Sequence, residues 1–140
     1  MTNSFIDSDM ARILEVIRAA PKTDLRALPI DEARDTFTRQ QTPWSWCPHA
    51  LARVDDVSIS TCGGPMQARL YIPVADGPLP AVVFAHGGGW TFGNIDTHDG
   101  TMRWLAAISG CVVLGINYRL SPEHPFPAGV HDLCDAIEFI

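Results

Sequence analysis

Two uninterrupted apolar runs, AVVFA at residues 81–85 and CVVLGI at residues 111–116, restrict what this chain can fold into. Strands buried on both faces of a parallel sheet have such runs, whereas half-exposed strands alternate between apolar and polar residues. Between the runs lies an apolar stripe at helical spacing, made of Met102, Leu105, Ala106 and Ile108. Thr97 or Asp99 is expected to cap this helix and Gly110 to end it. The order strand, helix, strand predicts a βαβ unit.

Residues 1–50 predict two helices that precede the βαβ unit. The first helix ends before Pro21, and Asp7, Ser8 or Asp9 can cap it. Its apolar stripe is made of Met10, Ile13, Leu14 and Ile17. The second is expected from about Pro29 to about Gln41, with Asp31 and Glu32 in its first turn, where acidic side chains favour the positive end of the helix dipole. We interpret residues 1–50 as a helical cap segment that docks on the rest of the chain.

Residues 51–140 predict the sheet-forming part of the chain. From Val54 onward, apolar and polar residues alternate on both sides of the turn sequence CGGP, which is the pattern of a β-hairpin with one buried face. The final segment, FPAGVHDLCDAIEFI, predicts a helix with a buried stripe of Val130, Leu133, Cys134 and Ile137. The expected fold class is α/β with a mostly parallel sheet.

Composition and charge argue against several function classes. The chain carries a formal net charge of −6 and has no cluster of lysine or arginine, so neither a nucleic-acid nor an anionic-membrane partner is expected. No segment approaches the roughly 20 apolar residues that span a bilayer, and the N-terminus lacks the pattern of a secretion signal, so a cytoplasmic location is expected. The four cysteines form no C-x-x-C pair and are expected to be reduced and mostly buried. No histidine spacing typical of a metal site occurs, and we expect neither a metal nor an organic cofactor.

Three consecutive glycines follow the first apolar run, in the sequence AVVFAHGGGW at residues 81–90. Glycine loses more conformational entropy on folding than any other residue, so a run of three indicates backbone that a Cβ would obstruct. Beyond the carboxyl end of a parallel strand, where ligands bind in open α/β folds, this loop would present bare N–H groups. Such groups can bind the oxyanion that develops during acyl transfer. For the glycines alone, a flexible loop remains the alternative.

The surrounding sequence is specific to a family. HGGGWTFGNIDTHD at residues 86–99, together with NYRLSPEHPFPAGVHD at residues 117–132, resembles the hormone-sensitive-lipase-like branch of the α/β-hydrolases, the bacterial esterases and acetyl-hydrolases. The resemblance covers at least residues 66–140. It implies an α/β-hydrolase fold and hydrolysis of short-chain carboxylic esters through a serine nucleophile, with the HGGG loop supplying the oxyanion hole.

The resemblance also implies roles for individual residues of the loop. The N–H groups of Gly88 and Gly89 would bind the substrate carbonyl oxygen. His86, Gly87 and Trp90 would support the loop, His86 by orienting it and Gly87 by permitting its turn. For Trp90 and Phe92, a place in a substrate pocket and plain packing are both open.

The polar residues of the two motifs are interpreted as structural. Asp96, His98 and Asp99 are expected to cap a helix and to fix the loop rather than to transfer protons. The second motif is expected to form a clamp in which Arg119 pairs with a carboxylate and which also contains Tyr118, Glu123 and His124. Asn117 stands where the family often has Asp, which puts in doubt any charge interaction at that position.

The catalytic triad of the family is missing from this sequence. Family members need a serine in Gly-x-Ser-x-Gly, then an Asp or Glu, then a His, and no Gly-x-Ser-x-Gly occurs here. We therefore expect an incomplete α/β-hydrolase fold, with residues 1–50 as the cap segment and residues 51–140 as the N-terminal part of the catalytic domain. No catalytic residue is assigned, and the chain alone is expected to be inactive. The expected partners are a small-molecule ester and either a missing C-terminal half or a second copy.

Two other functions stay open, namely a non-catalytic relative that binds a small molecule and a truncated gene product without function. The strand that ends at His86 is expected to lie between the strand at residues 111–116 and an absent nucleophile-bearing strand. Its unpaired edge predicts that the isolated chain is aggregation-prone, poorly stable or dependent on a complementing partner.

Overall fold

A computed structural model describes residues 6–140, which form one four-stranded sheet flanked by helices. In chain order the elements are α1 (Ser8–Ala19), α2 (Ile30–Gln41), β1 (Arg53–Thr61), β2 (Gly64–Ile72), β3 (Ala81–Ala85), α3 (Asp99–Ser109), β4 (Val112–Ile116) and α4 (Ala128–Phe139). Short 3₁₀ turns lie at Leu25–Ala27, Thr42–Trp44 and Asp96–His98. The predicted α/β fold class and the predicted order of helices and strands are confirmed.

The sheet has the strand order β1-β2-β4-β3. β2 pairs antiparallel with β1 and with β4, whereas β3 and β4 are parallel, with Ala81 opposite Val112 and Ala85 opposite Ile116. β3 therefore lies next to β4, as the βαβ pattern predicts. Within residues 6–140 the other edge of β3 has no strand neighbour.

The sheet is covered by helices on both faces. Val113 contributes to a core with Met102 and Ala106 of α3, whereas its neighbour Leu114 contributes to a core with Ala136 of α4. β4 is buried along nearly its whole length, as its continuous apolar sequence predicts. β3 is covered on both faces as predicted, since Val83 packs against one core and Val82 and Phe84 pack against the other. It is only partly buried, because it has a strand on one side alone.

The buried face of α4 differs from the predicted stripe. Gly129, Asp132 and Ala136 are buried, whereas Cys134 is exposed and Ile137 is 58% exposed. The carboxylate of Asp132 can face inward because it accepts hydrogen bonds from Arg119. A buried charge requires such partners. A purely apolar criterion cannot anticipate this rotation.

The two N-terminal helices begin and end close to the predicted residues. Asp7 caps α1 by accepting a 2.9 Å hydrogen bond from the N–H of Asp9. No residue of α1 is buried, so its apolar stripe, expected to dock on the rest of the chain, is uncovered within residues 6–140. A groove of about 670 Å³ between α1 and α2 is lined by apolar groups that include Val16, Ile17 and Trp44.

All four cysteines are free thiols, as expected. Cys62 and Cys134 are exposed and Cys47 and Cys111 are half-buried, so the expectation of mostly buried thiols was wrong. None of the helices in residues 6–140 has the length and apolar character needed to cross a bilayer.

Candidate functional site

The loop after β3 makes a tight turn around Gly88. Gly88 and Gly89 have φ angles of +136° and +62°, in the region that favours glycine. The carbonyl oxygen of Gly88 accepts the N–H of Phe92 at 2.9 Å and that of Thr91 at 3.2 Å. A Cβ on Gly88 would overlap the main-chain carbonyl of Phe92. Gly88 is therefore required both by its backbone angle and by a close backbone approach.

The residues on either side of this pair have different constraints. Gly87 lies outside the left-handed region, and a Cβ there would meet only the Nε2 atom of His98, at an ordinary contact distance of 3.7 Å. Trp90 has φ +62° although it carries a side chain. A non-glycine residue in this region stores strain of about 1–3 kcal/mol, and such residues cluster at functional sites.

The N–H groups of Gly88 and Gly89 are available to a ligand. Among the hydrogen bonds formed within residues 6–140, none uses either group as a donor. Gly89 is exposed, and a Cβ placed on it would meet no heavy atom within 4 Å. Two adjacent backbone donors at the end of β3 thus have no acceptor within residues 6–140.

His86 connects this loop to the buried part of the sheet. His86 is 4% exposed, and its ring stacks on Tyr118 with the ring centroids 4.4 Å apart and places Nδ1 3.0 Å from the carbonyl oxygen of Gly87. Tyr118 donates its hydroxyl hydrogen to the main-chain carbonyl of His86 at 2.7 Å. Burial lowers the pKa of His86 below its usual range, which favours the neutral imidazole.

The segment that follows the loop is fixed by side-chain to backbone hydrogen bonds. Asn94 and Thr97 bond each other's main-chain N–H groups, both at 2.9 Å. Asn117 accepts the N–H of Ile95 with its amide oxygen at 2.8 Å. This contact needs only a neutral acceptor, so the Asn at position 117 fulfils a role that requires no charge.

Asp99 stabilises the loop but does not cap α3. The residue at the cap position is His98, which makes no side-chain capping bond, so the prediction of Thr97 or Asp99 as the cap was wrong. Asp99 instead accepts hydrogen bonds from Arg69, Tyr71 and Arg103. Burial acts to raise the pKa of Asp99, but these donors outweigh it and hold that pKa below the usual range.

The second motif is joined to the loop and to α4. The N–H of Ser121 donates to the carbonyl oxygen of Trp90 at 2.8 Å. Arg119 pairs with the buried carboxylate of Asp132, as expected, and Glu123 pairs with Arg34 of α2. The sequence pattern did not single out Arg34, because an arginine on a polar helix face has no distinguishing signal.

A cavity of about 240 Å³ opens beside Gly89. It is lined by Gly89, Trp90, Arg119, Ser121, His124, Phe126, Pro127, Gly129 and Val130. Trp90 is thus at a pocket wall, whereas Phe92 packs on Phe37 of α2 with the ring centroids 5.4 Å apart. The two aromatic residues, treated alike from the sequence, have different surroundings.

One group of side chains in residues 6–140 has the spacing of metal ligands, namely Cys62, Asp132 and Asp135. The guanidinium of Arg119 donates to both oxygens of Asp132 and lies 3.8 Å from the sulfur of Cys62. The guanidinium of Arg119 therefore already neutralises the carboxylate of Asp132.

The sequence of this chain is similar to a known family and to known enzymes. Residues 82–140 match the family described as the alpha/beta hydrolase fold. The carboxylic ester hydrolase LipN of Mycobacterium tuberculosis is 47% identical over 85 residues, which are 61% of this chain and 23% of that protein. The carboxylesterase NlhH of the same organism is 35% identical over 122 residues, which are 86% of this chain and 38% of that protein.

A solved structure extends the match to nearly the whole chain. The hyperthermophilic esterase from the archaeon Pyrobaculum calidifontis superposes with a TM-score of 0.82 at 36% identity, over 96% of this chain and 43% of that one. The chain belongs to the α/β-hydrolase family. It spans less than half the length of the relatives described here.

Within this α/β-hydrolase chain, the contacts that sequence reasoning missed have one property in common. Arg34, Arg69 and Tyr71 each reach a partner far away along the chain, 57 residues for Arg34 with Thr91 and 27 residues for Arg69 with Asp96. Local spacing carries no information about such pairs, since only the folded arrangement of the strands, helices and loops brings them together.

Proposed function

We propose that this α/β-hydrolase chain contributes the oxyanion-binding part of a carboxylic ester hydrolase. Gly88 and Gly89 are the donors, and His86, Gly87 and Trp90 support the loop. Residues 1–50 form a helical cap segment, and residues 51–140 form the N-terminal part of the catalytic domain. The observation that carries the proposal is the pair of adjacent N–H groups at the carboxyl end of β3 that have no acceptor within residues 6–140.

In the proposed reaction, a serine that lies outside these residues attacks the carbonyl carbon of the ester, and a histidine accepts the serine proton. The π electrons of the carbonyl move to its oxygen, which accepts hydrogen bonds from the N–H groups of Gly88 and Gly89. A preorganised donor of this kind is worth about 3 kcal/mol of transition-state stabilisation. Collapse of the tetrahedral intermediate releases the alcohol, which takes the proton from the histidine, and water then hydrolyses the acyl-enzyme.

Two further features support a site that is completed by other residues. The cavity beside Gly89, about 240 Å³, is smaller than the roughly 300–1,000 Å³ of most ligand pockets. β3, which carries the loop, leaves one edge without a strand neighbour in residues 6–140. A further parallel strand beside β3 would bring a nucleophile to the loop. By themselves, residues 1–140 hold no serine elbow, and we expect them to be inactive.

The relatives support esters as the substrate class. Two of them are named as a carboxylic ester hydrolase and a carboxylesterase, and the archaeal structure is that of an esterase. The chemistry of the loop agrees with these names, because an ester carbonyl becomes an oxyanion during hydrolysis. We therefore propose a small carboxylic ester as the substrate.

The first experiment is to sequence the coding DNA past the codon for Ile140 and to look for a Gly-x-Ser-x-Gly segment. The encoded protein is then assayed for hydrolysis of p-nitrophenyl butyrate. A trifluoromethyl ketone, which forms an oxyanion with a serine nucleophile, is then added to protein labelled with ¹⁵N. We expect the amide protons of Gly88 and Gly89 to move downfield, whereas that of Gly77, a left-handed glycine in the β2–β3 connection, stays in place. Hydrolysis without a shift of either amide would contradict the assignment of the donors. A continuation without a serine elbow would favour a non-catalytic binding protein.

A further inference from the structure

Helix α2 forms hydrogen bonds with the oxyanion loop through the side chain of Arg34. Arg34 lies on α2, and its Nε atom donates to the carbonyl oxygen of Thr91 at 2.9 Å. Its Nη2 atom donates to the carbonyl oxygen of Ser121 at 2.8 Å. The same guanidinium forms two bonds with the carboxylate of Glu123, at 2.8 Å and 2.7 Å. One residue thus binds both loops that border the cavity beside Gly89.

The acceptors of Arg34 are directly linked to the turn around Gly88. Thr91, whose carbonyl Arg34 binds, donates its own N–H to the carbonyl of Gly88, as does the next residue, Phe92. The two loops are also bonded to each other, from the N–H of Ser121 to the carbonyl of Trp90 at 2.8 Å. Arg34 therefore closes a ring of hydrogen bonds that contains the strained residue Trp90.

The guanidinium is well suited to this position. It is planar and has donors in a fixed fork, so it can bind a carboxylate with two bonds and direct other donors to carbonyl groups. The Arg34 side chain is only 23% exposed, which reduces the competition from water. The ion pair with Glu123 raises the pKa of Arg34 and holds the pKa of Glu123 at about 2, so both groups are charged at neutral pH.

We propose that Arg34 is a positioning residue that holds the oxyanion loop in its turned conformation from outside the sheet. Its effect acts through Thr91 and Ser121 on the directions of the Gly88 and Gly89 N–H groups. The consequence for hydrolysis rests on the proposed function, whereas the effect on the loop does not. The helical segment then contributes to the site by fixing its backbone donors rather than by touching the substrate.

The test compares amide hydrogen exchange in the full chain for Arg34→Met, Arg34→Lys and Arg39→Met. Arg39 lies on the same helix and donates only to Thr36 within residues 6–140, so its replacement is the matched control. We expect the amides of Thr91 and Phe92 to exchange about tenfold faster in Arg34→Met, since bonds to a charged donor are lost. The amides of β4 should keep their rates. Arg34→Lys should behave like Arg34→Met, because one ammonium group cannot reach all three acceptors.

Three results would overturn the proposal. The first is that the amides of Thr91 and Phe92 keep their exchange rates in Arg34→Met. The second is that exchange in β4 accelerates equally, which would indicate a general loss of stability. The third is that Arg34→Lys retains the exchange rates of the wild type. Glu123→Gln is the second variant, in which the contacts to Thr91 and Ser121 remain. A smaller acceleration is expected for it, and one larger than that of Arg34→Met would contradict the mechanism.

Kinetics separates this proposal from the proposed function. In protein that hydrolyses p-nitrophenyl butyrate, Arg34→Met should lower kcat about tenfold and leave KM unchanged, because the oxyanion exists only after the serine attacks. A rise in KM with constant kcat would contradict a role at the oxyanion. If no hydrolysis is found but exchange at Thr91 and Phe92 responds as expected, the positioning role stands and the proposed function fails.

Discussion

Tyr118 donates its hydroxyl hydrogen to the main-chain carbonyl of His86, 32 residues earlier in the chain, at 2.7 Å. His86 is the first residue after β3, and Tyr118 lies two residues after β4. The bond therefore ties together the carboxyl ends of two adjacent parallel strands, and the stacking of the two rings reinforces it. The HGGG loop therefore starts from a residue whose backbone and side chain are both fixed.

Replacing Tyr118 by Phe tests this connection. The ring and its stacking remain, but the buried carbonyl of His86 loses its donor, and an unsatisfied buried acceptor costs about 1–3 kcal/mol. We expect the free energy of unfolding, measured with urea, to fall by that amount. Thr101→Val, at an exposed position of α3, is the control and should change stability little. Equal stability of Tyr118→Phe and the wild type would show that water replaces the tyrosine hydroxyl.

Gly88→Ala and Gly89→Ala should differ sharply, although the two glycines are neighbours. Both residues have positive φ angles, which cost an alanine about 1–2 kcal/mol. Only at Gly88 would the new Cβ also overlap backbone, that of Phe92. We expect Gly89→Ala to destabilise as much as Gly77→Ala, a left-handed position with open space elsewhere, and Gly88→Ala to destabilise clearly more. Equal urea midpoints for Gly88→Ala and Gly89→Ala would contradict the described turn.

The pair of Arg119 and Asp132 should be sensitive to the loss of one partner alone. Asp132 is 1% exposed, and Arg119→Met leaves its carboxylate buried without a counter-charge, which costs about 3–5 kcal/mol. The double variant Arg119→Met with Asp132→Leu should lose less stability than Arg119→Met alone. Arg12→Met breaks the exposed pair with Asp9, where both side chains are more than 80% exposed, and should cost less than about 1 kcal/mol. If the stability lost in the double variant equals the sum of the losses in Arg119→Met and Asp132→Leu, the coupling is contradicted.

Stability should fall as the pH drops below the ordinary histidine value of 6.5. Burial lowers the pKa values of His86 and His98 in the folded chain, so between the folded and unfolded pKa values the unfolded state binds more protons. The stability that neutral His86 and His98 contribute is therefore fully present above pH 6.5, and it is lost as the pH falls toward their pKa values in the folded chain. Urea unfolding at pH 8, 6 and 5 measures the loss, and NMR titration of the imidazole C–H signals identifies the groups. A midpoint for His86 at or above 6.5 would contradict this prediction.

The elements that could be predicted from the sequence are those with local signals. The left-handed Gly110 at the end of α3, the Asp7 cap of α1 and the hairpin turn all depend on neighbouring residues. The pairing of Arg119 with a carboxylate was also predictable as a type of contact, because a motif places the arginine close to acidic residues.

The remaining contacts depend on which helices, strands and loops the fold places side by side. Asp99 was predicted as a helix cap from its position at the start of α3, but Arg69 and Tyr71 of β2 bind its carboxylate. The inward face of α4 was misassigned because burial of Asp132 requires Arg119. Arg34 is similar, since neither Thr91 nor Ser121 is near it in the chain. The roles proposed for Gly88 and Gly89 stay predictions until the ¹⁵N experiment is done.

The strand order also constrains how the sheet assembles during synthesis. β4 lies between β2 and β3, although it follows both along the chain. When β3 leaves the ribosome, the strand with which it pairs has not yet emerged, and the βαβ contact forms only after α3 and β4 emerge. Until then the hairpin of β1 and β2 has an open edge and β3 has no partner at all. A chaperone that binds extended apolar segments would therefore find a target at residues 81–85 of the nascent chain, for the time that residues 86–116 take to emerge.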